Sequence, residues 1–124
     1  MPTPILSYRD LKVWRDAVHF AVRIHRLVRR FPRADQFRVG DQLARAVTSI
    51  ASNVAEGYGR RRSLEYLRFL DIANSSRCEA ETQLAICVGL ELIDFRTNEE
   101  LLEASQAIGR MLTGLRRSIA RTRR

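Results

Sequence analysis

A chain of 124 residues can bury a hydrophobic core without disulfides or metals, and at that length no second domain is expected. Its 45% apolar and 29% charged content, with few glycines and only three prolines, excludes a disordered tail. The formal net charge is +8, and all but one of the 22 basic residues is arginine, Lys12 being the exception. This balance favours a polyanionic partner, usually nucleic acid, because guanidinium forks match phosphate oxygens and released counterions favour binding.

At the start of the chain, Met1-Pro2-Thr3-Pro4-Ile5-Leu6 lacks the charged and then apolar regions of a signal peptide. No apolar run further on approaches the roughly 20 residues that span a bilayer. A cytoplasmic location with no membrane partner is the expectation. Ser7 and Asp10 then have the spacing of a capping box. Trp14, Ala17, Ala21, Ile24, Val28 and Phe31 follow in an alternating three-four rhythm, which predicts helix one over about 8–31. Leu11, Val13, Val18, Phe20, Val22 and Leu27 spread its apolar surface over more than half the circumference, wider than an ordinary surface helix requires. Either the other helices bury it unusually well or part of it lies in an oligomer interface, and the second is the expectation.

Pro32-Arg33-Ala34-Asp35 reads as a turn. Helix two follows over about 37–56, with Val39, Leu43, Ala46, Ile50 and Val54 on one stripe and Gly57 placed as its C-terminal cap. The turn Gly57-Tyr58-Gly59-Arg60 leads into helix three, about 63–93, which points Tyr66, Phe69, Ala73, Ala80, Leu84, Cys87 and Leu90 inward. Cys78 and Cys87 lie about 13 Å apart along that helix, too far to bond to each other, and are expected to be reduced and buried. After a turn at residues 94–98, Thr97 and Glu100 have the spacing of a second capping box. Helix four, about 98–121, then carries Leu101, Ala104, Ile108, Met111, Leu115 and Ile119 as its seam. Gly109 and Gly114 weaken it by up to about 1 kcal/mol each relative to alanine. Four amphipathic helices joined by short turns predict an all-α, antiparallel up-down-up-down four-helix bundle.

Catalytic and metal patterns are missing from the sequence. His19 and His25 are the only histidines, and neither follows a glutamate at the spacing of a di-iron bundle. There is no nucleophile elbow and no phosphate-binding loop, and each thiol sits within helical core patterning. The expectation is a protein that is not an enzyme and needs no cofactor or metal.

In the predicted topology, the start of helix one, the loop after helix two and the end of helix four share one end of the bundle. That end gathers Arg9, Lys12, Arg60, Arg61, Arg62, Arg116, Arg117, Arg121, Arg123 and Arg124 as a candidate nucleic-acid-binding pole, with Tyr58 available to stack on a base or to pack locally. Arginines at a solvated helix C-terminus, where they complement the dipole, give the same pattern without a partner. A second feature is the stripe Gln42, Arg45, Ser49, Asn53 and Glu56 on helix two, spaced three or four apart on one face. Glu79 and Glu81 of helix three are within reach of Arg45 across the bundle, where an arginine-carboxylate pair would fix register, and the alternative is an ordinary solvated face.

The same residues carry a resemblance. Leu11-Lys12-Val13-Trp14 with Ala17, then Phe31-Pro32, then the run from Gln42-Leu43-Ala44-Arg45-Ala46 to Asn53-Val54-Ala55-Glu56-Gly57 resemble the bacterial four helix bundle proteins encoded within intervening sequences of large-subunit ribosomal RNA genes. Glu65-Tyr66-Leu67-Arg68-Phe69-Leu70-Asp71-Ile72-Ala73, followed by Ser76, Glu79, Glu81 and Leu84, is similar to that family's second block, so the resemblance covers about 8–92. Ser75 departs from the glycine the family favours before Ser76, which bears on any close helix approach there. The resemblance implies a four-helix fold and a likeness to the accessory subunit of diversity-generating retroelements, a basic ring-shaped homopentamer that binds a reverse transcriptase and nucleic acid. It therefore implies a homopentamer, with nucleic acid as one partner and an enzyme that acts on nucleic acid as another. It also makes Arg45, Asn53, Glu56, Glu79 and Glu81, with Gln42 and Ser49 on the same face, structural or interface positions.

Overall fold

The computed structural model describes residues 4–122, and among these there are four long helices and no strand. The Ser7 and Asp10 capping box is present: Ser7 Oγ accepts from the Arg9 amide at 3.1 Å, and Asp10 accepts from the Ser7 amide at 3.1 Å. It closes a separate 3-10 turn, Tyr8–Asp10, because extended backbone at Leu11 (φ −76°, ψ 123°) interrupts the chain before the first α-helix, α1, Lys12–Val28. Tyr8 packs edge-on to Trp14, with ring centroids 5.1 Å apart, which holds this turn against α1.

The predicted turn at Pro32-Arg33-Ala34-Asp35 is instead the beginning of the next helix. Pro32 is its N-cap, and the Asp35 and Gln36 amides both donate to the Pro32 carbonyl. Helical residues Arg33–Asp35, a π-helical segment Gln36–Gly40 and the α-helix Asp41–Tyr58 run on without a break, and this rod, residues 33–58, is α2. The true turn is shorter than expected. Gln36 staples it by donating to the carbonyls of Arg29 (3.1 Å) and Phe31 (2.9 Å). Gly57 does not cap α2. It is buried one residue before the end of the helix, where Tyr66 and Phe69 of the next helix lie against it.

The third helix, α3, spans Ser63–Gly89 and ends earlier than predicted. The Glu91 amide donates to the Val88 carbonyl (3.0 Å) and the Leu92 amide to the Cys87 carbonyl (2.9 Å), a Schellman motif with Glu91 at φ 61° in the place usually taken by glycine. Leu90 consequently turns outward at 53% exposure instead of joining the core. The last helix, α4, spans Phe95–Thr122. Its cap is Asp94, whose carboxylate accepts the Thr97 amide at 2.7 Å, so the predicted Thr97 and Glu100 box does not form. Hydrogen bonding from the Thr97 backbone, then from its side chain, holds the Asp94 carboxyl below the ordinary aspartate range.

Each helix packs on its neighbour in the chain, and α1 closes the ring against α4. Ile24, Leu43, Ile50, Leu70, Leu84, Leu101 and Ile108 are fully buried, with every helix contributing. Each such side chain stabilises the fold by about 1.5–3 kcal/mol. The broad apolar surface of α1 is largely absorbed here: Val13, Phe20, Ala21, Ile24 and Val28 are buried, Leu11, Trp14, Val18 and Leu27 partly so, and Val22 alone among its large apolar side chains is exposed. The outward apolar face belongs to α3, where Leu64, Ile72 and Ile86 are all exposed. At 100° per residue these three fall within roughly 80° of arc. Among the described residues, no helix is long and apolar enough to cross a membrane.

Candidate nucleic-acid interface

The residues of the predicted pole divide by what holds them. Lys12 bonds Asp16 at 2.7 Å, one turn on along α1, and Arg60, in the loop after α2, bonds Glu56 near the end of that helix at 3.0 Å. The Arg60 guanidinium also lies 4.6 Å from the centre of the Phe69 ring. Arg116 makes two bonds to Asp71 on α3, at 2.7 and 3.2 Å, and these hold the Asp71 carboxyl below its ordinary range while raising the arginine. Arg9 sits over the Tyr8 and Trp14 rings, at 5.6 and 5.4 Å. Arg61, Arg62, Arg117 and Arg121 are exposed and have no carboxylate partner among the described residues. Arg123 and Arg124 lie outside the described residues.

Contacts along the helices place these groups. Tyr8 shares a surface depression with Glu56, Gly59 and Arg60, so the start of the chain adjoins the loop after α2. Arg116 is fixed at the level of Asp71, and Arg121 follows about 7.5 Å further along α4, toward the start of α3. Tyr58 packs edge-on to Tyr66, with centroids 6.3 Å apart, and is half-buried. Burial, reinforced by Tyr58, pushes the Tyr66 hydroxyl up to about 12. The structure thus takes the local-packing alternative for Tyr58.

Of the polar stripe on α2, Gln42, Ser49 and Asn53 form a seam toward α3, whereas Arg45 and Glu56 are exposed and Glu56 pairs with Arg60. Ser49 and Ser76 hydroxyls meet at 2.8 Å, and Asn53 donates to the Ser49 hydroxyl (2.9 Å) and carbonyl (2.8 Å). Ser75 is exposed, so the close approach of the two helices runs through Ser76 and is untouched by the departure at 75. Gln83 joins Gln42 (3.5 Å) to Glu79 (3.2 Å). Arg45 meets neither Glu79 nor Glu81. It is exposed beside Asp41 and His25 in a shallow groove between α1 and α2. Glu81 is bonded instead to Arg77, one turn earlier on α3, and to Ser105 of α4, whose hydroxyl donates at 2.6 Å. That pairing was available in the sequence, as opposite charges four residues apart.

A second basic feature went unread in the sequence. Lys12, Arg15, His19, Arg23 and Arg26 fall within roughly 80° of one another on α1 and run about 21 Å along it. All five are exposed; Lys12 bonds Asp16, Arg15 donates to the Arg9 carbonyl at 3.0 Å, and Arg23 bonds Glu100 at 2.8 Å. His25, just beside this stripe, faces Thr48 of α2 at 2.8 Å. Because the single Thr48 hydroxyl proton is donated to the Ala44 carbonyl (2.8 Å), His25 Nε2 carries the hydrogen that joins α1 to α2. Among the described residues, no group of three or more His, Cys, Asp or Glu side chains is placed to hold a metal ion. Of the two thiols, Cys87 is buried as expected, but Cys78 is exposed, on the outer side of α3.

With this geometry in view, the model of a protein family described as 23S rRNA-intervening sequence protein matches residues 9–114. The chain belongs to this family. The match to the 23S rRNA-intervening sequence proteins runs beyond the resemblance read in the sequence, through α3 and into α4, and Arg116, Arg117 and Arg121 lie past its end. A crystal structure from Bacteroides thetaiotaomicron, described as a protein with unknown function from the S23 ribosomal protein family, is similar to the chain with a TM-score of 0.80. The two are 25% identical, over 85% of this chain and 95% of that one, which agrees with an all-helical bundle. No curated protein matches the chain.

Proposed function

We propose that this 23S rRNA-intervening sequence protein is a non-enzymatic homo-oligomer that binds the phosphate backbone of RNA or DNA through its arginine-rich surface. The observation that carries the reading is the set of exposed cations with no carboxylate partner among the described residues: Arg61, Arg62, Arg117 and Arg121 at the predicted pole, Arg15 and Arg26 along α1, and Arg30 in the turn after it. Such groups attract phosphate and release its counterions, which gives affinity with little sequence preference. The test is a titration of labelled RNA and DNA oligonucleotides over a range of salt. Wild type loses affinity steeply as salt rises, and R61A/R62A lowers the slope of log affinity against log salt by about 1.5. An unchanged slope removes the pole from the interface. Absence of binding by wild type removes the reading itself.

Self-association is supported by the exposed apolar stripe of α3, and the resemblance to a pentameric accessory subunit makes five copies the expected number. Light scattering should give a multiple of the 14.3 kDa chain mass for wild type and the single-chain mass for I72E/I86E. The same stripe favours a second reading, an adaptor for a nucleic-acid enzyme such as a reverse transcriptase. Recovery of one stoichiometric protein partner that survives nuclease treatment would select it.

A further inference from the structure

We propose that the groove between α3 and α4 at Gly109 is a phosphate-binding site, in which one phosphodiester group of the bound strand is held; this rests on the nucleic-acid reading above. The groove measures about 590 Å³, and three guanidinium groups line it, from Arg77 on α3 and from Arg110 and Arg117 on α4. No carboxylate lines it. Asp71 is held by Arg116, and Glu81 is bonded to Arg77 and to the fully buried Ser105.

Arg77 is built into the floor. Its side chain is only 14% exposed, with Nε donating to Asn74 at 3.0 Å and Nη1 shared between Glu81 and Ser105. Those bonds leave Nη2 with no oxygen acceptor; it meets only the Cys78 sulfur, at 3.9 Å. A guanidinium already fixed in place loses little freedom when it takes up an anion, and its fork geometry suits phosphate oxygens. Gly109 is the residue that admits it. A Cβ at this position would stand 2.8 Å from both Nε and Cζ of Arg77. The glycine that weakens α4 locally is thus what lets a largely covered cation reach the groove. Arg110 and Arg117, two turns apart on α4 and exposed, supply about 10 Å of positive rim above it.

Arg117 is common to the groove and the predicted pole, whereas Arg77 and Arg110 line the groove alone and Arg61 and Arg62 belong to the pole alone, so R110A and R61A/R62A separate the two regions. Fluorescence anisotropy with a labelled single-stranded RNA should show R110A weakening binding several-fold, with the fold verified by circular dichroism. G109A, which keeps both rim arginines and displaces Arg77, should weaken it several-fold. In spectra of the arginine Nε–H groups, the same RNA should shift the Arg77 signal, and inorganic phosphate should do so only at far higher concentration. Wild-type affinity in R110A and G109A alongside loss in R61A/R62A would overturn the groove and leave the nucleic-acid reading standing. A shift with inorganic phosphate and none with RNA would overturn the phosphodiester assignment in favour of a small anion. No RNA binding by wild type would overturn both.

Discussion

Gly57 on α2 faces Phe69 on α3 so closely that a methyl group at position 57 would stand 2.9 Å from the Phe69 Cβ. The neighbouring Tyr66 ring would be 3.1 Å away and the Tyr66 carbonyl 3.4 Å. Because a Cβ is fixed by its backbone, relief requires the two helices to separate. Overpacking of this kind costs about 1–3 kcal/mol, against which alanine recovers up to about 1 kcal/mol of helix propensity. G57A should therefore lower stability by about 1–2 kcal/mol, read as a lower urea midpoint with an unchanged slope. A midpoint equal to that of wild type would show that the helices yield without penalty.

Glu91 offers the opposite case. It holds φ 61° at the end of α3, a conformation that costs a residue with a Cβ about 1–2 kcal/mol. Glycine relieves that strain but gains freedom in the unfolded chain, so E91G should stabilise by about 0.5–1 kcal/mol. Thermal unfolding would register this as a rise of a few degrees. A lower midpoint would mean that the Glu91 side chain contributes more than its backbone strain removes.

The cap of α4 predicts an acid dependence. Asp94 titrates below its ordinary value of 3.8 in the folded protein because of the Thr97 hydrogen bonds. A carboxyl lowered on folding contributes stability that is complete above the unfolded value and is lost as pH falls through the folded one. The melting temperature of D94A should thus lie below that of wild type by a constant amount from neutral pH down to about pH 5. The gap should close in stronger acid. A gap that widened on acidification would contradict the capping role.

The two thiols should react unequally. Cys87 has no exposed surface, and burial, with the Asp35 charge adding to it, pushes its thiol up to about 11. Cys78 is exposed. A thiol-specific chromogenic reagent at mildly alkaline pH should therefore modify one cysteine in the native protein and a second only after denaturation. Two rapid equivalents in the native state would mean that the seam around Cys87 opens readily.

Core positions were legible because burial repeats every three or four residues, a pattern local enough to read without the fold. Ala17, Ile24, Leu43, Ile50, Leu84 and Ile108 all lie where that rhythm puts them. Leu90 keeps the rhythm yet faces outward, because the chain reverses at Glu91 and the helix has already ended. Glycine misled for a related reason. Near a helix end it usually marks a cap, but Gly57 answers to Phe69, a residue on another helix. Arg45 lies beside Asp41, four residues earlier on its own helix, whereas a pairing with Glu79 or Glu81 depends on a distance between helices that local spacing does not fix. Arg77 and Glu81, four apart on α3, were within reach of local reading; that Gly109 lies over Arg77 was not.

The placement of Cys78 gives the molecule a built-in handle. Its sulfur lies 3.9 Å from Arg77 Nη2 while the other thiol is sealed in the core. A fluorophore or spin label attached without any engineering would thus land at a single known site, beside the largely covered guanidinium, and would report occupancy of the groove from the unaltered chain.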